Sequence, residues 1–311
     1  MLKTFCGCAI LNGKMTHNST ERQGTFMLLL SETNGLDLRQ TLDCGQCFRW
    51  VCDTDGSWRG IVANHAVRVQ QTDDGTLLLQ GLAGESPEAD PDFWRQYFAL
   101  DLDYPALLNT FRAANPKLAQ CVEYAPGIRV LRQPFFETLV TFLISQNNNI
   151  PRIKGITARL CEGLGEPLVS VAEETDNTLY YTFPTAKRLA ALQEEDLAFL
   201  RAGWRAGYIL DAARKVASGQ ICEQELRSLP FAEAKAKLMT VRGVGPKVAD
   251  CTLLYGLGRW EAYPIDVWMK RADEALFTAR VKDAAAYLNR RTQGHAGIAQ
   301  QYIFAWARTH L

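Results

Sequence analysis

Between residues 27 and 82, apolar and polar positions alternate in short runs at 47–51, 57–62, 66–71 and 76–80. A period of two sends successive side chains to opposite faces of a sheet. Asp55-Gly56 and Asp74-Gly75 separate these runs and are hairpin signals, so an antiparallel sheet is expected. From Asp92 onward the spacing becomes helical, with Phe93, Trp94, Tyr97 and Phe98, then Leu107, Leu108 and Phe111. Pro134 opens a strongly apolar helix over 135–145, and more helices are expected at 185–192, 196–201, 206–218, 231–239, 248–256 and 267–277. Two final helices end at Arg308. The predicted fold class is α+β: an N-terminal antiparallel β-sheet domain, then a mostly α-helical body containing a helix–hairpin–helix. Residues 1–24 read as a disordered tail, 25–105 as the sheet domain and 106–311 as the helical part, with the helix–hairpin–helix at 232–257.

Composition adds few constraints. The chain has 311 residues, 47% of them hydrophobic and 22% charged, as in ordinary globular proteins. It carries no apolar run long enough to span a membrane, so no membrane association is expected. The 34 basic and 34 acidic residues cancel, yet residues 73–103 hold eight acids against the single base Arg95. The remainder therefore has a surplus of seven positive charges, enough for a local basic face. Nine cysteines at irregular spacing give no disulfide framework and suit a reducing cytoplasm. Cys44-Gly-Gln-Cys47 has no second pair at zinc-ribbon distance and there are only four histidines, so no metal site is expected.

The most specific chemistry lies in Val241-Arg-Gly-Val-Gly-Pro-Lys247. Gly243, Val244 and Gly245 form a tight turn and Pro246 can begin a helix, leaving amide N–H groups beside a positive helix end. That arrangement suits a phosphate. Lys247 follows at the helix entrance, where the helix dipole and partial burial both disfavour its charged form, as a nucleophilic amine requires. Cys251 and Leu254, four and seven residues on, fall on the same helical face and are candidates to wall a pocket. Asp266 precedes a helix and is both an ordinary N-cap and a candidate carboxylate for Lys247. An amine beside a phosphate-gripping backbone suggests covalent chemistry on nucleic acid. A non-catalytic helix–hairpin–helix module is the alternative from a different class.

Residues 238–272 resemble the helix–hairpin–helix/Gly-Pro-Asp glycosylase superfamily. Four more segments narrow the likeness: Leu42–Trp50 (LDCGQCFRW), Arg129–Glu137 (RVLRQPFFE), Ser145–Arg152 (SQNNNIPR) and Gly203–Tyr208 (GWRAGY). Together they resemble 8-oxoguanine DNA glycosylase/AP lyase, from about residue 30 onward. The resemblance implies base excision repair, with 8-oxoguanine removed opposite cytosine through a lysine Schiff base and β-elimination. Lys247 would attack C1′, and Asp266 would stabilise the developing oxocarbenium charge. Gly45 would offer its carbonyl to the N7–H that 8-oxoguanine has and guanine lacks. Phe304 and Cys251 would sandwich the flipped base while Gln300 reads its Watson–Crick edge. Phe304 also fits a plain helical core stripe with Ile303 and Trp306. Asn147, Arg152 and Arg205 would bind the estranged cytosine, and Trp204 would fill the emptied stack.

Two departures stand out: Trp204 replaces a tyrosine, and Trp268 replaces a phosphate-contacting histidine. The nearest rival is the endonuclease III type, whose iron–sulfur cluster needs cysteines after the catalytic aspartate. No cysteine follows Cys251. The sequence thus predicts a cofactor-free monomer without an iron–sulfur cluster, partnered by damaged double-stranded DNA and acting on the nucleoid of the cytoplasm.

Overall fold

The computed structural model describes residues 27–170, 179–277 and 283–311; the segment read above as a tail, 1–24, lies outside them. Five strands, β1 (Met27–Leu30), β2 (Trp50–Cys52), β3 (Trp58–Val62), β4 (His65–Gln71) and β5 (Leu77–Gly84), form one antiparallel sheet in the order β1-β5-β4-β3-β2. Gly56 and Gly75 take positive φ in the expected turns, where the carboxylates of Asp55 and Asp74 accept from the amides of Ser57 and Thr76. Trp50 lies flat over Gly60, where a Cβ would come within 2.2 Å of the indole. The inner sheet face buries Trp50, Trp58, Val67, Val69, Leu77 and Leu79 against Trp94 and Tyr97 of the helix Pro91–Tyr97 and its C-cap Phe98.

The first expected strand starts three residues late, at Trp50 rather than Cys47. Upstream, Gly45 adopts φ +87° and the Gln46 side chain turns inward. Its carboxamide donates to the carbonyls of Thr41 and Arg129 at 2.9 and 2.7 Å and accepts from the Leu131 amide at 2.8 Å. These bonds replace a strand ladder, so residues 43–49 form a fixed loop on the segment 129–133.

A second apolar core fills the helical body. Its axis is the helix Phe135–Ser145, buried at every position except Phe136 and Ser145; seven of its residues are apolar, and the buried Glu137 carboxylate is paired with Arg49 at 3.3 Å. Pro116–Tyr124 and Ile150–Leu164 are further helices that the pattern reading did not separate. Both begin on an asparagine cap followed by proline: Asn115 accepts from the Lys117 amide and Asn149 from the Arg152 amide. The asparagine run therefore closes one helix, with Asn147 at φ +48°, and opens the next. The helix Phe231–Leu238, a turn, and the helix Pro246–Cys251 make the helix–hairpin–helix. The second of these helices continues as a π turn, Thr252–Gly256. Among the described residues no helix is long and apolar enough to cross a membrane.

Candidate active site

Lys247, Asp266, Gly45, Cys251, Gln300 and Phe304 line one small cavity, joined by Phe142, Tyr255 and Pro264. Six candidates separated by up to 259 positions in the chain thus converge on one recess, whose walls come from the loop 43–49, the apolar helix, the hairpin helix, the segment before Val267 and the helix Ala296–His310. Leu254 is absent from the walls and packs in the core instead. The π turn is the reason: it winds more residues per turn than an α-helix, so Tyr255 comes into line with Lys247 and Cys251.

The Lys247 amine lies 4.8 Å from the centroid of the Phe142 ring and donates to Ser145 Oγ at 3.2 Å. Both partners belong to the buried helix, which gives the amine a rigid seat. Asp266 N-caps the helix Val267–Leu276, its Oδ1 accepting from the Met269 amide at 2.9 Å. The cap and the cavity position coexist, because capping uses one lone pair and fixes the carboxylate's direction. Burial pushes the Cys251 thiol up to about 11, so this wall of the cavity is a neutral, polarisable surface.

Two acceptors in the cavity stand unused. Gln300, 3% exposed, donates through Nε2 to the Pro264 carbonyl at 3.1 Å, and its Oε1 has no partner among the described residues. An acceptor orphaned in a buried site is costly unless a ligand fills it. Gly45, which is half-buried, also lacks a partner for its carbonyl. The carbonyl before it, of Cys44, accepts from Gln301 Nε2 at 3.2 Å, and the one after it, of Gln46, accepts from Gln133 Nε2 at 2.7 Å. The Gly45 carbonyl accepts nothing from the described residues. A Cβ at Gly45 would make ordinary contacts, 3.7 Å from Phe304 and 3.5 Å from Ile150, so it is the φ of +87° that favours glycine.

The hairpin forms the expected tight Gly-Val-Gly turn. Gly243 has φ +86°, and a Cβ there would meet the Tyr208 ring at 2.1 Å. Gly245 is the N-cap with no side chain to satisfy the helix start, and a Cβ there meets nothing within 4 Å. The Val244 amide donates back to Val241. The amides of Gly243, Gly245 and Lys247 have no acceptor among the described residues.

The remaining candidates form a separate cluster outside the cavity. Trp204 is half-exposed, its indole 4.2 Å from the Arg205 guanidinium and edge-on to Tyr208. Arg205 is buried, and its guanidinium is largely engaged. Nε donates to the Gln146 carbonyl at 2.9 Å, Nη2 to those of Gln146 and Asn147, and Nη1 to that of Ala202 at 3.1 Å. Burial and the nearby Arg152 both lower its pKa. Asn147 and Arg152 are exposed. Trp268 is half-buried beneath Arg271, whose guanidinium lies 5.3 Å from the ring.

The sequence reading missed Phe142, Ser145, Tyr255 and Pro264 as parts of the site. Phe142 and Tyr255 look like core residues in sequence, and only the fold turns them toward the amine. Ser145 and Pro264 lie within segments already singled out, 145–152 and 238–272, which could have flagged them.

A model of the 8-oxoguanine DNA glycosylase N-terminal domain matches residues 27–139, and one of the HhH-GPD superfamily of base excision DNA repair proteins matches residues 140–294. An N-glycosylase/DNA lyase of Saccharomyces cerevisiae is 30% identical over 79% of this chain and 69% of its own length. The N-glycosylase/DNA lyase OGG1 of Arabidopsis thaliana is 31% identical over 83% and 71%. Among solved structures, the Clostridium acetobutylicum 8-oxoguanine glycosylase/lyase bound to double-stranded DNA containing cytosine opposite 8-oxoguanine superposes with a TM-score of 0.78. It is 33% identical, covering 88% of this chain and 92% of that one. MBOgg1 in complex with a low-affinity DNA ligand gives a TM-score of 0.81 at 36% identity, covering 95% and 99%.

Proposed function

The chain belongs to the 8-oxoguanine DNA glycosylase family of helix–hairpin–helix base excision repair proteins, and on that premise we propose how its residues carry out the reaction. The protein is a bifunctional DNA N-glycosylase/AP lyase that removes 8-oxoguanine from DNA. In our reading the Gly243–Gly245 turn grips a backbone phosphate with its free amides, and the damaged nucleotide swings out into the cavity. Trp204 occupies the vacated stack.

The Gly45 carbonyl accepts the N7–H of 8-oxoguanine. Guanine presents an N7 lone pair there instead, so the same oxygen attracts the lesion and repels the normal base. Gln300 faces the Watson–Crick edge. Its Nε2 is committed to Pro264, so Oε1 is the atom offered, and it matches the N1–H and N2–H donors of the purine. Cys251 and Phe304 cover the two faces of the base.

Chemistry then falls to Lys247 and Asp266. The amine, unprotonated, attacks C1′; the C1′–N9 bond breaks and the base departs with that electron pair. The Asp266 carboxylate opposes the positive charge that grows on the sugar, a stabilisation effective in a site closed to water. The C1′ adduct opens to an imine, whose electron demand acidifies the C2′ proton and lets the 3′ phosphate leave by β-elimination. The nucleophile and the carboxylate are both side chains of the protein, so we propose no cofactor for these steps. Asn147, Arg152 and the remaining N–H of Arg205 receive the estranged cytosine.

The observation that carries this reading is the convergence of amine, carboxylate and two unused acceptors in one recess. Borohydride trapping on duplexes containing 8-oxoguanine opposite cytosine tests it. Wild type is expected to yield a covalent protein–DNA adduct and Lys247→Gln none. Binding without an adduct in the wild type would favour a non-catalytic DNA-binding module.

A further inference from the structure

The Gly45 carbonyl is flanked by two carbonyls that glutamine side chains hold in place, and both glutamines lead to the same residue. Gln301 Nε2 donates to the Cys44 carbonyl, while Gln301 Oε1 accepts from the Tyr255 hydroxyl at 2.6 Å. On the other side, Gln133 Nε2 donates to the Gln46 carbonyl, and the Gln133 amide N–H donates to the Tyr255 carbonyl at 2.7 Å. Tyr255 thus grips the Cys44–Gln46 loop at both ends, once through its side chain and once through its backbone. Its ring stacks on Phe142 with centroids 5.3 Å apart and planes 15° apart, and Phe142 is also the ring against which the Lys247 amine lies.

The polarity of this chain of bonds is fixed. Tyr255 and Gln301 are both buried, and desolvation raises the phenol's pKa well above its ordinary value, so it keeps its proton and donates. A flipped Gln301 amide would set its oxygen against the Cys44 carbonyl, two acceptors facing one another. Only one orientation satisfies every group. The π turn is what brings Tyr255 to this position, since an α-helical path would have put Leu254 here.

We propose that Tyr255 and Gln301 form a positioning pair that aims the Gly45 carbonyl into the base cavity, tying lesion recognition to the same aromatic platform that seats Lys247. Neither residue needs to touch the substrate's reacting atoms to do this. The inference rests on the reading of Gly45 as the atom that selects 8-oxoguanine. It predicts that loss of the pair damages base excision more than strand cleavage, because an abasic site has no base for Gly45 to recognise.

The test uses the full chain as Tyr255→Phe, Gln301→Met and the double variant. Tyr255→Phe removes one oxygen and keeps the stack on Phe142; Gln301→Met keeps length and burial. Single-turnover excision of 8-oxoguanine opposite cytosine is compared with cleavage at a preformed abasic site in the same duplex. Each single variant is expected to lower the ratio of excision to cleavage about tenfold, the scale of one buried hydrogen bond. The double variant is expected to lose no more than the worse single one, since the pair acts as a unit. An unchanged ratio, a parallel fall in both rates, or additive losses would each overturn the proposal. If Tyr255→Phe fails to fold, Gln301→Met alone still reads the ratio. A wild type that cleaves abasic sites but leaves 8-oxoguanine in place would refute the proposed function instead.

Discussion

The Gln300 amide donates to the Pro264 carbonyl at 3.1 Å, and that one bond dictates what the residue can offer a ligand. With Nε2 committed, the buried Oε1 points its lone pairs at the cavity unpaired. Gln300→Leu removes the acceptor while keeping most of the volume. Excision of 8-oxoguanine should fall about 10- to 100-fold, as expected when a site loses one hydrogen bond to a buried polar edge. Cleavage at a preformed abasic site should fall much less, and single-turnover assays on the two substrates measure the difference.

Asp266 has two duties that a pair of substitutions separates. Asn caps helices about as well as Asp, so Asp266→Asn should hold the Met269 amide and keep Tm close to wild type. It removes the negative charge, however, and excision should slow by about 10²–10³-fold, the usual scale for losing one preorganised electrostatic contact. Asp266→Ala should be equally slow and also cost about 1 kcal/mol of stability. Thermal melts beside excision kinetics check both; full activity in Asp266→Asn would reduce the residue to a cap.

Much of this site was legible in the sequence, for an identifiable reason. Lys247, Gly243, Gly245 and Asp266 lie in a local motif, where the spacing itself carries the geometry. The apolar helix ran over 135–145 as expected because Pro134 marks its start and its one buried charge, Glu137, is answered by Arg49 at 3.3 Å. Pro116–Tyr124 and Ile150–Leu164 were harder: their signals were the Asn-Pro and Asn-x-Pro openings, not a strong stripe. Leu254 was misplaced because helical spacing assumes 3.6 residues per turn, and the π turn breaks that count. The grip of Tyr255 and Gln301 on Cys44 joins positions far apart in the chain, which no local pattern encodes.

The two hairpin glycines should respond differently to alanine. At Gly243 a methyl group meets the Tyr208 ring at 2.1 Å and the backbone holds φ +86°. Gly243→Ala should therefore cost at least about 1–2 kcal/mol and lower Tm by several degrees. Gly245→Ala has open space and φ −92°, so the fold should survive. If the turn grips a phosphate as proposed, the added methyl obstructs it, and DNA affinity should drop with Tm nearly unchanged. Calorimetry and duplex binding on both variants distinguish the two effects.

Asp250 gives the protein a pH-dependent element of stability. Desolvation raises its carboxyl to about 6 despite the Lys235 ammonium at 2.8 Å, and one of its oxygens has no partner among the described residues. A folded-state pKa above the unfolded value of 3.8 means that folding favours the protonated acid. The contribution is fully present below pH 3.8 and is lost as pH rises through 6. Over that window it amounts to about 3 kcal/mol at most. Asp250→Asn, which cannot titrate, should gain on the wild type between pH 4 and 7 in parallel melts; a constant difference in Tm would show that the carboxyl does not titrate there.

Arg205 and Arg152 should separate structure from partner recognition. Arg205 is buried and spends most of its donors on the carbonyls of Gln146, Asn147 and Ala202, so it holds the turn that presents Asn147. Arg205→Ala leaves those carbonyls unpaired and should lower Tm as well as weaken the preference for cytosine opposite the lesion. Arg152 is exposed and free of any ion pair among the described residues. Arg152→Ala should keep the fold yet excise 8-oxoguanine with a smaller advantage for cytosine over adenine, by about tenfold if one charge-assisted hydrogen bond is lost. Rates on duplexes differing only in the opposite base measure this ratio. A ratio unchanged in both variants would move cytosine recognition away from this cluster.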